Sequence, residues 1–97
     1  MVQGGNNAEQ HVIMLCKQDN LIGLEYDFFE VPDRLRIYYD EKLIHDTGEV
    51  SGYGSWTYKC NGTNDWLLVV VEPNQEIDTE WWFLITCHCD WEEINEQ

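Results

Sequence analysis

The stretch VPDRLRIYYDEKLIHDTGEVSG, residues 31–52, decides the fold. In RLRIYY, Leu35, Ile37 and Tyr39 fall on one side of an extended chain and Arg34, Arg36 and Tyr38 on the other, because side chains alternate along a strand. KLIHD repeats the alternation, with Leu43 and His45 opposite Ile44 and Asp46. Asp40 and Glu41 between the two runs form a two-residue hairpin loop. Pro32 and Asp33 turn the chain into this hairpin, and Thr47-Gly48 and Ser51-Gly52 turn it away, Gly supplying positive φ.

Outward from the hairpin the same grammar recurs. HVIMLC (11–16) and LIGLEYDFFEV (21–31) read as strands, the second interrupted by Gly23 as a bulge. In SWTYKC (55–60), Trp56, Tyr58 and Cys60 share a face, and the Asn-Gly that follows is a strong hairpin sign. WLLVVVE (66–72) is apolar on both faces, which predicts a central strand covered on both sides. In TEWWFLITCHC (79–89), Trp81, Phe83, Ile85, Cys87 and Cys89 alternate with Trp82, Leu84, Thr86 and His88. No segment has helical periodicity, and turn residues recur about every 8–12 positions. The expectation is an all-β, antiparallel two-sheet sandwich, jelly-roll-like, with seven or eight strands. Residues 1–10 read as a flexible arm, 11–91 as the single domain and 92–97 as an acidic tail. An immunoglobulin domain is disfavoured, because Cys60 and Cys87 are too close together and no tyrosine corner precedes the second.

Nineteen Asp and Glu against five Lys and Arg give a net charge of −14 at pH 7. That charge repels nucleic acid and anionic membrane and favours cations or a basic protein surface. The composition is nonetheless that of a folding chain, 43% hydrophobic and 13% aromatic, unlike a disordered acidic segment. The opening MVQGGNNAEQ has neither a basic region nor an apolar run of signal-peptide type, and no stretch is long enough to span a membrane as a helix. The expected location is the cytoplasm (of a host cell, were the gene carried by a phage), or outside the cell if the chain is cut from a larger secreted protein.

Residues 25–89, through VPDRLRIYYDEKLIHDTGEVSGYGSWTY, VVVEP and TEWWFLITC, resemble a small β-sandwich module of bacterial and phage proteins, and are also similar to the P-domain-like jelly rolls attached to secreted proteases. Pro32, Asp33, Arg34, Tyr39, Asp40, Asp46, Thr47, Gly48, Ser51 and Gly52 carry the pattern. The resemblance implies an accessory module that binds or stabilises rather than a catalyst. Glu41 stands where the module has Gly, which implies a loop geometry other than a tight type I′ turn.

Candidate chemistry follows from the turns. Asp33, Asp40 and Asp46 are the carboxylates nearest to a calcium site, which needs six to eight oxygens. No Asp-x-Asp-x-Asp-Gly loop is present. Cys87 and Cys89 alternate around His88 on an extended strand, a spacing poorly suited to zinc. Core thiols, or a disulfide from one of them to Cys16 or Cys60, fit as well. His11, His45 and His88 have no partner motif for catalysis, so no enzyme is expected and no cofactor beyond the calcium alternative. Trp56, Trp66, Trp81, Trp82 and Trp91 are mostly core by pattern, with a sugar-stacking platform as the alternative.

Two functions are in view. The first is a small acidic, non-enzymatic protein that engages a basic protein surface, as a phage-encoded inhibitor of a nucleic-acid-binding host defence would, through Asp40, Glu41, Asp46, Glu49, Glu76, Asp78 and Glu80. The second is a calcium- or carbohydrate-binding accessory sandwich of a surface or secreted protein. A homo-oligomeric module is a third. The first requires carboxylates to gather on one face, since screening confines their mutual reinforcement to about 8 Å.

Overall fold

In the computed structural model, described over residues 1–15, 20–60 and 64–87, eight strands form two antiparallel sheets and no helix occurs among the described residues. The strands are β1 (Val2–Gly4), β2 (Glu9–Met14), β3 (Asn20–Asp27), β4 (Arg34–Tyr39), β5 (Lys42–Asp46), β6 (Tyr53–Cys60), β7 (Trp66–Glu72) and β8 (Trp81–Cys87). The first sheet has the order β1-β8-β3-β6 and the second β2-β7-β4-β5. Strands pair first with last, second with seventh, third with sixth and fourth with fifth, which is the wrapping of a jelly roll.

The inner faces make the core. Ile22 and Leu24 of β3, Leu35 and Ile37 of β4, Leu67, Val69 and Val71 of β7, and Trp81 and Phe83 of β8 are all buried. Phe28 closes one end of this layer and Leu15 and Cys60 the other, beside Tyr39, whose hydroxyl donates to the Asn64 carbonyl at 3.0 Å. Each of the large apolar side chains contributes on the order of 1.5–3 kcal/mol by leaving water.

Four local expectations are corrected. The segment read as a flexible arm at 1–10 contains β1 and the start of β2. Gly4 is why it docks: a Cβ there would lie 2.5 Å from the Trp81 ring, so only glycine lets the backbone approach. The Trp81 indole N–H then donates to the Gly5 carbonyl at 2.8 Å. Gly23 is not a bulge, since β3 keeps an unbroken register with β6 and β8 through it. The bulge lies in β5 instead: Ile37 pairs with His45 and Tyr38 with Leu43, leaving Ile44 as the extra residue. That insertion places Leu43 outward while His45 turns inward onto Trp56 of the first sheet, their rings stacked at 4.3 Å.

The Asp40–Glu41 loop is the third correction. Both residues have positive φ, 55° and 65°, between paired Tyr39 and Lys42. Positive φ at both central positions is the signature of a type I′ turn, which matches strand twist even without glycine. The fourth concerns β7. It is central in its sheet, yet only one of its faces meets the other sheet; Trp66, Leu68 and Val70 lie on the outside and are half-buried. Residues 92–97, read as a tail, and the end of the 11–91 domain lie outside the described residues.

Candidate binding cleft

The loops β1–β2, β3–β4, β5–β6 and β7–β8 meet at one end of the sandwich, called here the loop end. The β4–β5 turn lies at the other. The expected acidic residues divide between them. Asp40 and Glu41 are at the turn, while Glu49, Glu76, Asp78 and Glu80 are exposed at the loop end. The five residues of β5, about 16 Å of extended chain, lie between the two groups, roughly two screening lengths.

Asp46 belongs to neither exposed group. It is held on the outer face of the second sheet, where Arg34 donates to both of its oxygens at 2.9 and 2.7 Å, and the Arg36 guanidinium lies 3.5 Å away. The Gly48 N–H donates to it at 2.9 Å. The Arg34 hydrogen bonds hold its carboxyl well below the usual carboxylate range, with the Gly48 N–H and the charges of both arginines adding to them against a desolvation cost. Arg36 also reaches Glu72 at 2.8 Å.

Asp33 is buried and engaged on both oxygens. It accepts from the Asn74 N–H at 2.8 Å and from the Thr79 hydroxyl at 2.7 Å. It therefore latches the β7–β8 loop to the start of β4. The calcium trio does not converge: Asp33 is interior, Asp40 is at the far turn and Asp46 is taken by arginine. Among the described residues no group of three or more His, Cys, Asp or Glu side chains is arranged to hold a metal ion. Cys60 is a free, buried thiol, pushed up in pKa by desolvation, and Cys87 is disulfide-bonded. His88, Cys89 and Cys16 lie outside the described residues.

What the loop end does assemble is a cleft of about 730 Å³ between the β3–β4 and β7–β8 loops. Asp27, Phe28, Phe29 and Glu30 line it from the end of β3 and the loop after it, Gly52 and Tyr53 from the entry to β6, and Asp78, Thr79 and Glu80 from the β7–β8 loop. Asp27 shapes the first wall by accepting the Phe29 N–H at 2.8 Å, a side-chain turn. Phe29 is consequently left-handed, with φ 60°, and 46% exposed, while Phe28 before it is fully buried beneath Tyr26. Gly52, at φ 86°, clasps the same loop, donating to the Phe29 carbonyl at 2.7 Å and accepting from the Phe28 N–H at 3.0 Å. The facing loop is equally fixed. The Asn74 side chain accepts from the N–H groups of Glu76 and Ile77, and Asn6 donates to the carbonyls of Asn74 and Ile77 at 2.8 Å each.

The cleft offers carboxylates from Asp27, Glu30, Asp78 and Glu80 and rings from Phe29 and Tyr53, and its lining includes no Lys or Arg. Tyr53 donates to Glu25 at 3.2 Å, and desolvation followed by that carboxylate raises its pKa. Carboxylates beside open aromatic faces suit a guanidinium or ammonium group, which gains charge-assisted hydrogen bonds and a cation–π contact together. The sequence reading named Asp78 and Glu80 but missed Asp27, Phe29, Glu30 and Tyr53. The run DFFE, an acid at each side of two aromatics, was the available sign.

The tryptophans among the described residues form no common platform. Trp81 is core, Trp56 faces inward onto His45, and Trp66 and Trp82 lie on opposite outer faces. Trp91 lies outside the described residues. No protein-family model matches the chain, and no curated protein matches it.

Proposed function

We propose that this is a small acidic binding protein, not an enzyme, that engages a basic surface of another protein through the loop-end cleft. The observation that supports it is the lining itself: four carboxylates and two accessible rings, with no cation among them, held on hydrogen-bonded loops. A lysine or arginine of the partner enters the cleft, and Glu49 and Glu76 extend the negative field around its mouth. Nucleic-acid-binding proteins carry the densest basic surfaces, so a partner blocked by mimicry of phosphate is the sharper form of this reading, as in an inhibitor of a defence nuclease.

Titration calorimetry with arginine-rich and charge-neutral peptides of equal length, at low and high salt, tests it. The arginine-rich peptide should bind, and its affinity should fall steeply with salt, because attraction to an exposed acidic site is screened. Equal binding of both peptides, or affinity indifferent to salt, would overturn the reading.

A further inference from the structure

The outer face of the second sheet carries an apolar patch that the cleft does not use. Strand register sets Val12, Leu68, Tyr38 and Leu43 in one row across all four strands, with Met14 beside Trp66 in the next. Val12 is 61% exposed, Met14 65% and Leu43 51%. Single exposed apolar residues are ordinary on a protein surface, but a contiguous row across a whole sheet is not. This is the side of β7 whose apolar pattern led to the expectation of a covering layer, and no strand among the described residues lies over it.

We propose that this face is where two copies of the chain pack, sheet against sheet about a twofold axis. The argument is electrostatic. The chain carries −14, so two copies repel each other from most directions. On this face the ionised side chains of the four strands are Arg34, Arg36, Asp46 and Glu72, two of each sign, and they are joined to one another at 2.7, 3.5 and 2.8 Å. The charges of the strands on this face therefore sum to zero, with Glu49 acting on Arg34 from the loop after β5, and the face is apolar at one end and ion-paired at the other. A basic partner is drawn to the loop end, where the carboxylates are uncompensated, whereas the acids of the strands here, Asp46 and Glu72, are already paired with arginine. A second copy of this chain finds the surface on which its own charge is balanced.

The area fits a weak dimer. Four strands about 4.8 Å apart and six residues rising about 3.4 Å each make a face of roughly 19 by 20 Å. That is roughly 400 Å² per partner in projection, well below the roughly 800 Å² of a standard interface, so the contact is weak and concentration-dependent. A twofold arrangement is isologous, so the row of one copy meets the row of the other and the two clefts stay open at the ends.

Sedimentation equilibrium over a concentration series, at low and high salt, tests the proposal. The wild-type chain should pass from monomer to dimer with concentration, and dimerise more tightly at high salt as the mutual repulsion is screened. This is opposite to the salt response expected of the cleft, so failure of either reading leaves the other standing. Met14→Glu and Leu43→Glu, each at a position more than half exposed and so tolerant of charge, should remain monomeric with melting temperatures close to wild type. A wild-type chain monomeric at every concentration and salt, or variants that dimerise as it does, would overturn the proposal.

Discussion

At the loop end, Asp27, Glu30, Asp78 and Glu80 face a cleft whose lining, among the described residues, holds no Lys or Arg, whereas on the outer face of the second sheet Asp46 and Glu72 are both bound by arginine. The same residue types thus do opposite work. In the cleft no Lys or Arg of the lining pairs with the carboxylates, although Asp27 also accepts the Phe29 N–H. On the sheet they neutralise the arginines of β4 and allow apolar side chains to stand beside them without a surrounding field. Net charge alone does not distinguish these uses; partners and burial do.

Charge reversal should separate the regions most sharply. The pair Asp78→Lys and Glu80→Lys removes two charge-assisted contacts of about 1.5–3 kcal/mol each. Binding of an arginine-rich peptide, read by calorimetry, should weaken by at least about a hundredfold, while the monomer–dimer equilibrium changes little. Equal damage to both would show that the two regions are not independent.

Next in size is the latch. Asp33→Ala leaves the Asn74 N–H and the Thr79 hydroxyl without their partner in a buried place, a loss of about 2–4 kcal/mol. Chemical denaturation should report that loss, and hydrogen exchange should show it concentrated at 73–80 rather than in β2 or β5. Uniform loss of protection would mean that Asp33 supports the whole fold and not one wall of the cleft.

Acid should act on the paired face first. Asp46 is held below its ordinary pKa, so its ion pair stabilises the fold above about pH 4 and that contribution is lost as pH falls below it. His45 is depressed by desolvation against Trp56, with Asp46 opposing, so stability rises with pH up to about 6.5 as the imidazole becomes neutral in the unfolded chain too. Thermal melts from pH 3 to 8 should show both limbs. Arg34→Met should flatten the acid limb, only partly because solvent screens an exposed pair.

The smallest effect is expected at the far turn. Glu41→Gly removes a side chain from a left-handed position and should stabilise by about 1 kcal/mol, raising Tm by about 4–8 °C, with neither binding nor dimerisation altered. Weaker peptide binding in this variant would show that the far acidic pair takes part after all.

Much of the architecture was legible because alternation is a local property. Arg34–Tyr39 states its own faces, and six consecutive burial states obey it. What escaped depended on distant residues or on one inserted position. Gly4 looked like part of a loose arm until Trp81 lay against it. Ile44 gave no sign of being a bulge, although it set Leu43 and His45 on opposite faces. The cleft joins Asp27 to Glu80 across more than half of the chain, so no window of sequence displays it. Asp33, a turn residue by sequence, owes its role to Asn74 and Thr79.

The nesting of strand pairs also sets an order of events. Among the six pairings of the described residues, β4 with β5 alone joins neighbours in sequence; the others bring together segments separated by at least one intervening strand, and β1 with β8 joins Val2 to Phe83. Long closures cost entropy before any contact rewards them, so such a chain gathers itself slowly, from its middle outward. The two left-handed residues at Asp40 and Glu41 then sit at the point where assembly starts, and easing their conformation should quicken folding while leaving unfolding nearly unchanged.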